Sequence, residues 1–600
     1  MRLADYVARY LEDKGVKHIF MLSGGGMMYL MDAVGRSNIE YVCCHHEQAA
    51  GIAAVGYALE SNGLGVCMVT TGPGGTNALT AAGAAYVDST PVLFISGQVK
   101  TADFASLRNV RQYGAQENDI VSMAKPVTKY AVTVTDKDQI RYYLERAVYE
   151  ALNGRRGPVW IDIPLDIQNA DIDPEVLVGY RPDEQDPEKQ DYIKQSIADL
   201  FAALEKAKRP LFLAGHGLKA AGAEEKLTEI VRKTGVPVLT TWRELALFDD
   251  DDELFFGSPG LQARRYSNLI LQGADLLIVL GSRLDNMITA FSEEHFAFRA
   301  KKYIVDIDEN ELNKYKMPEC TGIRCDISVF IDELYSELGA RSVNYSYKEW
   351  ISKCRALKER YPISKERQNR ELSGVDLYKM TQAISYHSTK YDDIVISSTS
   401  RCNTAGHIAF SHKKGQRLIS SMGFGSMGFA LPHVVGAWFA SDAPSDKRRV
   451  LMIEGDGSLQ LNIQELQTII HHKINAKLFI FSNVGYAAIA TMQDRNFEGF
   501  HVGSDADSGV TLPDMGKIAA AYGMEYRLIE DDSQIDDTVS EVMDLTGPVI
   551  CEFRGSIEYD EIPKCISSLD ENGNRVSAAL ENPYPFLSQS EMDEIYRNLL

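Results

Sequence analysis

Cationic excess, paired cysteines and long apolar runs are all missing from this chain of 600 residues, and each absence removes a class of function. Lys and Arg number 62 against 84 Asp and Glu, a formal charge of −22 at pH 7. A surface of that sign repels phosphate backbones and anionic lipid, so no nucleic-acid and no membrane partner is expected. The nine cysteines are scattered without a C-x-x-C pair and read as free thiols in a reducing compartment. No apolar run reaches bilayer-spanning length, and Met1-Arg2-Leu3-Ala4-Asp5 does not have the layout of a secretory signal. A cytoplasmic protein is expected.

What is present is length, and glycine turns at the ends of apolar runs. A chain this long predicts several domains, each with its own core. Apolar runs at 65–70, 92–96 and 159–163 alternate with helix-like stretches in a first unit spanning 1–185. Runs at 210–214, 236–240, 276–280 and 302–306 mark a second unit at 192–345. A third covers 370–553, and a tail with few strand signals follows at 554–600. The charged stretches 186–194 and 348–370 read as connections. Strands alternating with helices predict an α/β fold of three doubly wound parallel sheets.

The most specific pattern lies in the third unit. The run 449–453 leads into Gly455-Asp456-Gly457-Ser458, and 24 residues later the run 476–481 leads into Asn483 and Gly485. Two buried strands would deliver a carboxylate, an amide and a backbone carbonyl to one sheet edge. Three oxygen donors, with room for phosphate oxygens and water, suit Mg²⁺. The glycines beside Asp456 let a diphosphate approach the backbone. A bare Gly-Asp-Gly is usually only a loop; the strand contexts and spacing make this one specific.

This pattern resembles the diphosphate-binding motif of thiamine diphosphate (ThDP) enzymes, with Ser482 where the family has the first of two asparagines. The resemblance implies that Asp456, Asn483 and the Gly485 carbonyl hold Mg²⁺, with Gly455, Gly457, Ser458 and Tyr486 completing the cofactor cradle. Far upstream, His45-His46-Glu47-Gln48 precedes a small-residue helix-like stretch. A helix-capping carboxylate is the ordinary reading of Glu47. In the family this position is the acid that activates the aminopyrimidine. Gly423-Phe424-Gly425-Ser426-Met427-Gly428 formally matches G-x-G-x-x-G, a dinucleotide turn. The ThDP resemblance is closer, and makes Gly425 the acceptor for the cofactor amino group and Met427 the prop beneath its bent form.

The resemblance covers nearly the whole chain and is nearest the acetolactate synthase-like branch, among members associated with deoxysugar and polysaccharide pathways. Ser23-Gly24-Gly25-Gly26 matches a glycine loop facing the thiazolium. Gly72 to Asn77 matches a strand-to-helix turn, and Gln116-Glu117 a stretch whose Gln lies near the reacting carbons. Glu47, Gln116 and Gly24 are thus the catalytic candidates. The departures concern the acceptor. Met287 stands where the branch has a carboxylate-binding Arg, Met492 where it has a Trp, and Ala115 where a Phe precedes the Gln. A Met cannot make the bidentate contact of an Arg, so an acceptor other than a simple 2-oxoacid is expected.

The implied function is a ThDP- and Mg²⁺-dependent carboligase that takes an acyl unit from a 2-oxoacid donor, pyruvate first, to a carbonyl acceptor such as a ketosugar. A plain 2-oxoacid decarboxylase, an acetolactate synthase, a flavin-dependent oxidase and a non-catalytic ligand-binding relative stay open. FAD is left open by Ala214-Gly215-His216-Gly217 and Gly281-Ser282-Arg283, which lie where relatives hold it. The family builds its sites between chains, which implies a homodimer or homotetramer with Glu47 meeting Asp456 and Asn483 of another copy.

Overall fold

The computed structural model describes residues 1–182, 189–341, 345–367, 373–556, 561–569, 575–576 and 579–599. The apolar runs named from the sequence each form a strand, further strands join them, and helices long enough for parallel crossovers flank them. The first sheet holds β1 (His18–Met21), β2 (Glu40–Cys43), β3 (Gly65–Val69), β4 (Val92–Gln98), β5 (Tyr130–Thr133) and β6 (Val159–Pro164). The second holds β7 (Pro210–Ala214), β8 (Val238–Thr240), β9 (Leu276–Leu280), β10 (Lys301–Asp306) and β11 (Cys320–Arg324). The third holds β12 (Asp392–Ile396), β13 (Arg417–Ile419), β14 (Arg449–Gly455), β15 (Ala476–Ser482), β16 (Glu525–Ile529) and β17 (Val549–Arg554).

The strand orders are β2-β1-β3-β4-β6-β5, β11-β10-β9-β7-β8 and β13-β12-β14-β15-β17-β16, with parallel pairing throughout. Renumbered from its own first strand, the third sheet repeats the order of the first. In every sheet the chain leaves the first strand, adds a neighbour on one side, then crosses to the other. That reversal opens a crevice at the carboxyl ends of β1 and β3, of β7 and β9, and of β12 and β14, where open α/β sheets bind ligands. All the glycine loops singled out above follow one of these strands or its neighbour, and Gly72 follows β3 itself.

The outer units share a core within one chain. Helix Glu47–Ser61 is buried almost all round and packs on helix Ala430–Ala440. Their backbones come too close for side chains: a Cβ on Gly436 would lie 2.0 Å from the Ala53 carbonyl oxygen, and one on Gly56 would lie 3.0 Å from the His433 backbone. Small residues therefore permit the contact, as the Ala- and Gly-rich composition of both helices requires.

Two expectations about connections change. Of the stretch 186–194, residues 186–188 lie outside the described residues, as do the proposed boundaries 185 and 370, and Lys189 already begins helix Lys189–Leu204. The stretch 348–370 contains helices Lys348–Arg360 and Ile363–Glu366, because its apolar residues recur at helical spacing and bury Trp350, Cys354 and Leu357. The tail ends in helix Gln589–Leu599. Among the described residues, no helix is long and apolar enough to cross a membrane.

Candidate active site

β14 and β15 run side by side, with Gly455 opposite Phe481, so Asp456 and Asn483 leave the same sheet edge. The Asp456 carboxylate binds that edge together. Its Oδ2 accepts from the backbone N–H of Asn483 and of Val484, each at 3.0 Å, and Oδ1 accepts from Gly457 N–H at 2.8 Å. Burial pushes the Asp456 carboxyl up to about 6 against those three donors, which favour the charged form. A cation beside such a carboxylate would favour its charged form further. Among the described residues no group of three His, Cys, Asp or Glu side chains could hold a metal, so a cation here would rely on amide, carbonyl and ligand oxygens. Asp456, Asn483 and the Gly485 carbonyl would offer only hard oxygens, a donor set that fits Mg²⁺. Nothing stands within 4 Å of the place a Cβ on Gly455 would take, which leaves the turn open for a diphosphate.

Gly457 has a different reason. A Cβ there would lie 2.5 Å from Cε1 of Tyr486, so the glycine makes room for the ring that follows Gly485. Tyr486 is held in turn by its N–H on the Ser504 carbonyl at 2.7 Å.

The segment from Gly423 to Gly428 hangs across the opening at the β12/β14 crevice. Gly425 has φ +64° and Gly428 φ +78°, left-handed values that suit glycine. At its far end the Gly428 N–H donates to Ser458 Oγ at 2.9 Å, and the Gly428 carbonyl accepts from Asn462 Nδ2 at 2.8 Å. Met427 is half-buried between these ends, and no atom but the Ser398 carbonyl oxygen, at 3.8 Å, comes near a Cβ on Gly425.

In the first unit, Glu47 is the first residue of its helix and is buried. Its Oε2 accepts from Asn77 Nδ2 at 2.9 Å. The neighbours of Glu47 reach the third unit of the same chain: Gln48 Oε1 accepts from Asn462 at 3.1 Å, and His45 N–H donates to Glu465 at 2.9 Å. Among the described residues no hydrogen bond joins Glu47 to Asp456 or Asn483 within one chain. Gly24 lies at the β1/β3 crevice on Thr70, whose Cβ would be 2.4 Å from a Cβ on Gly24, and Gly26 N–H donates to Thr70 Oγ1 at 3.0 Å. Gln116 is exposed at φ +67°, its carbonyl against Gly72. Its conformation is set by Glu117, whose carboxylate accepts from the N–H groups of Ala105, Tyr113 and Gly114. Burial opposes ionisation of Glu117, but those donors outweigh it and hold the carboxyl below its ordinary range.

The three acceptor-side candidates stand on separate units. Ala115 is exposed beside Gln116, Met492 is exposed on helix Ala487–Asn496, and Met287 is exposed beside the central sheet. Met287 lines a cavity of about 920 Å³ at the carboxyl ends of the central strands. Gly215 and Gly217 meet Gly281 and Ser282 backbone to backbone at its floor, and Arg155, Arg156, Arg243 and Arg283 line it. The volume is that of a large cofactor pocket, and its arginines would suit a diphosphate, although Arg155 is paired with Asp308 and Glu311 and Arg283 with Asp285.

Sequence reasoning missed Asn77, Thr70, Asn462 and the reason for Gly457. Asn77 lies inside a quoted motif, and its side chain alone could have signalled a partner. The other contacts join segments that only the fold brings together.

Comparison with known proteins agrees with this arrangement. Residues 1–123 match the thiamine pyrophosphate enzyme N-terminal TPP binding domain, 197–334 the central domain and 399–553 the C-terminal TPP binding domain. The chain is 30% identical over 564 residues to acetolactate synthase 1, chloroplastic, of Zea mays, covering 92% of this chain and 85% of that protein. It is 30% identical over 563 residues to the acetolactate synthase isozyme 1 large subunit of Escherichia coli K12, covering 93% and 95%. With the large subunit of Corynebacterium glutamicum acetolactate synthase it shares 29% over 558 residues, 92% and 86% of the two chains. The chain is therefore an enzyme of the thiamine diphosphate-dependent family, in its acetolactate synthase-like branch.

Proposed function

We propose that this enzyme decarboxylates a 2-oxoacid, pyruvate first, and transfers the acyl unit to a carbonyl acceptor of the ketosugar class. ThDP would supply the electron sink for the carbon–carbon bond broken and the one formed. Asp456, Asn483 and the Gly485 carbonyl would hold Mg²⁺ on its diphosphate, Gly425 would accept from its amino group, and Met427 would support it from below. Glu47 would hold and move the proton at the aminopyrimidine. Asn77 fixes one carboxylate oxygen of Glu47 and so leaves the other for that exchange. Gln116 would reach toward the reacting carbons from its exposed loop, and Gly24 would close the thiazolium side. From the resemblance to the family, which builds its sites between chains, we assign the complete site to a homodimer at least, with a second copy covering it against water and stray protons.

The observation that carries the acceptor reading is the thioether pair, Met287 and Met492, both exposed where the branch places a guanidinium and an indole. A polar acceptor without a carboxylate loses nothing at Met287, whereas a 2-oxoacid loses its charged partner. FAD is our assignment for the central cavity, and a yellow protein on purification checks it directly.

The test is pyruvate consumption with ThDP and Mg²⁺, products identified by NMR, with and without a panel of ketosugars. Sugar-dependent turnover to a branched product is the expected result. Acetolactate as the main product would overturn the acceptor assignment, and acetaldehyde alone would make the enzyme a decarboxylase.

A further inference from the structure

The segment carrying Gly425 and Met427 has a second anchor, and it comes from the first unit. Asp88 caps helix Pro73–Val87 and is 7% exposed, yet its carboxylate crosses to the third unit. Oδ2 accepts from Ser421 Oγ at 2.7 Å and Oδ1 from Gly423 N–H at 2.9 Å. Gly425 N–H in turn donates to the Ser421 carbonyl at 3.0 Å. One residue of the same segment, Phe424, lies over Gly83 of that helix, its ring 3.3 Å from where a Cβ on Gly83 would be. Asp88 is itself gripped from the central unit. Arg243 donates to its carbonyl at 3.3 Å, and Arg283 donates to the Val87 carbonyl at 3.0 Å.

We propose that Asp88 is a positioning residue for the cofactor: it fixes the Gly423–Met427 segment so that the Gly425 carbonyl and the Met427 side chain meet the aminopyrimidine. This rests on the reading of Gly425 and Met427 as cofactor contacts given above. The segment is held at its far end, at Gly428, by Ser458 and Asn462, and between the two anchors Gly425, at φ +64°, gives it a left-handed turn. Without Asp88, Ser421 Oγ and the Gly423 N–H lose a charged acceptor, and the near end keeps only the Ser421 N–H on Ser398 Oγ and the Gly425 N–H on the Ser421 carbonyl, each at 3.0 Å. The diphosphate end of the site, at Asp456 and Asn483, is held by a separate set of bonds and does not depend on Asp88. Asp88, Arg243 and Arg283 also line the central cavity, so whatever fills it touches the residues that place the segment.

Asp88→Asn, Ser421→Ala and Met427→Ala proteins, titrated calorimetrically with ThDP and separately with inorganic pyrophosphate, each with Mg²⁺, test this. Loss of one charge-assisted hydrogen bond predicts that Asp88→Asn weakens ThDP about tenfold and leaves pyrophosphate within about twofold. Ser421→Ala shifts the same way by less, and decides the matter if Asp88→Asn does not fold. Equal weakening of both ligands would make Asp88 a general structural residue and overturn the proposal. Unchanged ThDP affinity in Asp88→Asn and Ser421→Ala, beside a loss in Met427→Ala, would overturn it while sparing the cofactor reading. Unchanged affinity in all three would remove the cofactor reading and the proposal together.

Discussion

Gly457→Ala is the sharpest single perturbation of the metal edge. The added methyl would sit 2.5 Å from Cε1 and 2.8 Å from Cδ1 of Tyr486. Ordinary carbon contacts need about 3.5–4.0 Å, so the ring must retreat by roughly 1 Å. The Tyr486 backbone has little slack of its own, because its N–H is bonded to the Ser504 carbonyl at 2.7 Å and a Cβ on Gly485 would already be 2.5 Å from that same carbonyl. Displacement of Tyr486 would reach the adjoining Gly485, whose carbonyl is proposed above to hold the metal. Overpacking of this kind costs about 1–3 kcal/mol, which corresponds to roughly 5- to 150-fold in affinity. Calorimetric titration with Mg²⁺ and ThDP should show that loss, and Gly457→Ala combined with Tyr486→Ala should recover most of it. Wild-type affinity in Gly457→Ala, or no recovery in the double variant, would refute the reasoning.

Other variants probe separate links. Asn77→Ala frees the Glu47 carboxylate, and removing a hydrogen bond to such a group should lower turnover about 10- to 100-fold while ThDP affinity, read by calorimetry, changes far less. Glu60 lies where the three units meet, near Asp393, Lys219 and Arg417, and burial raises its carboxyl to about 7 despite the two cations. Folding therefore favours the protonated form, so this contribution to stability is complete at low pH and is lost as pH rises through about 7. Glu60→Gln should flatten the fall in apparent melting temperature between about pH 5 and pH 7; an unchanged slope would contradict the assignment. Met287→Arg should raise acetolactate formation from pyruvate alone, measured by product NMR, if the guanidinium restores a carboxylate contact.

The strand ends were legible because apolar runs such as 449–453 and 476–481 stop at glycine, aspartate or asparagine, and that punctuation survives in the fold. Three of the edge strands were not. Tyr130–Thr133 and Glu525–Ile529 are only part-buried, and Cys320–Arg324 is mostly exposed, so none carries a continuous apolar run. Glu47 and Asp456 could be picked out by their motifs, but the bonds that orient them could not. The Asp88–Ser421 contact spans 333 residues, and no local pattern reports a pairing of that range. Gln116 adopts φ +67° although it is neither Gly nor Asn, since the three N–H donors on Glu117 fold the loop around it. Gly457 was read as room for a diphosphate, while its lack of a side chain is required by Tyr486.

The most direct test of the account is the rate at which the C2 proton of bound ThDP exchanges with deuterium, followed by quenched-flow NMR in the parent enzyme and in Glu47→Gln. Loss of a positioned acid–base group is worth about 10²–10⁴-fold, so exchange should fall by at least 100-fold with ThDP still bound. Exchange at the parent rate in Glu47→Gln would contradict the assignment of Glu47, and with it the chemistry assigned to this site.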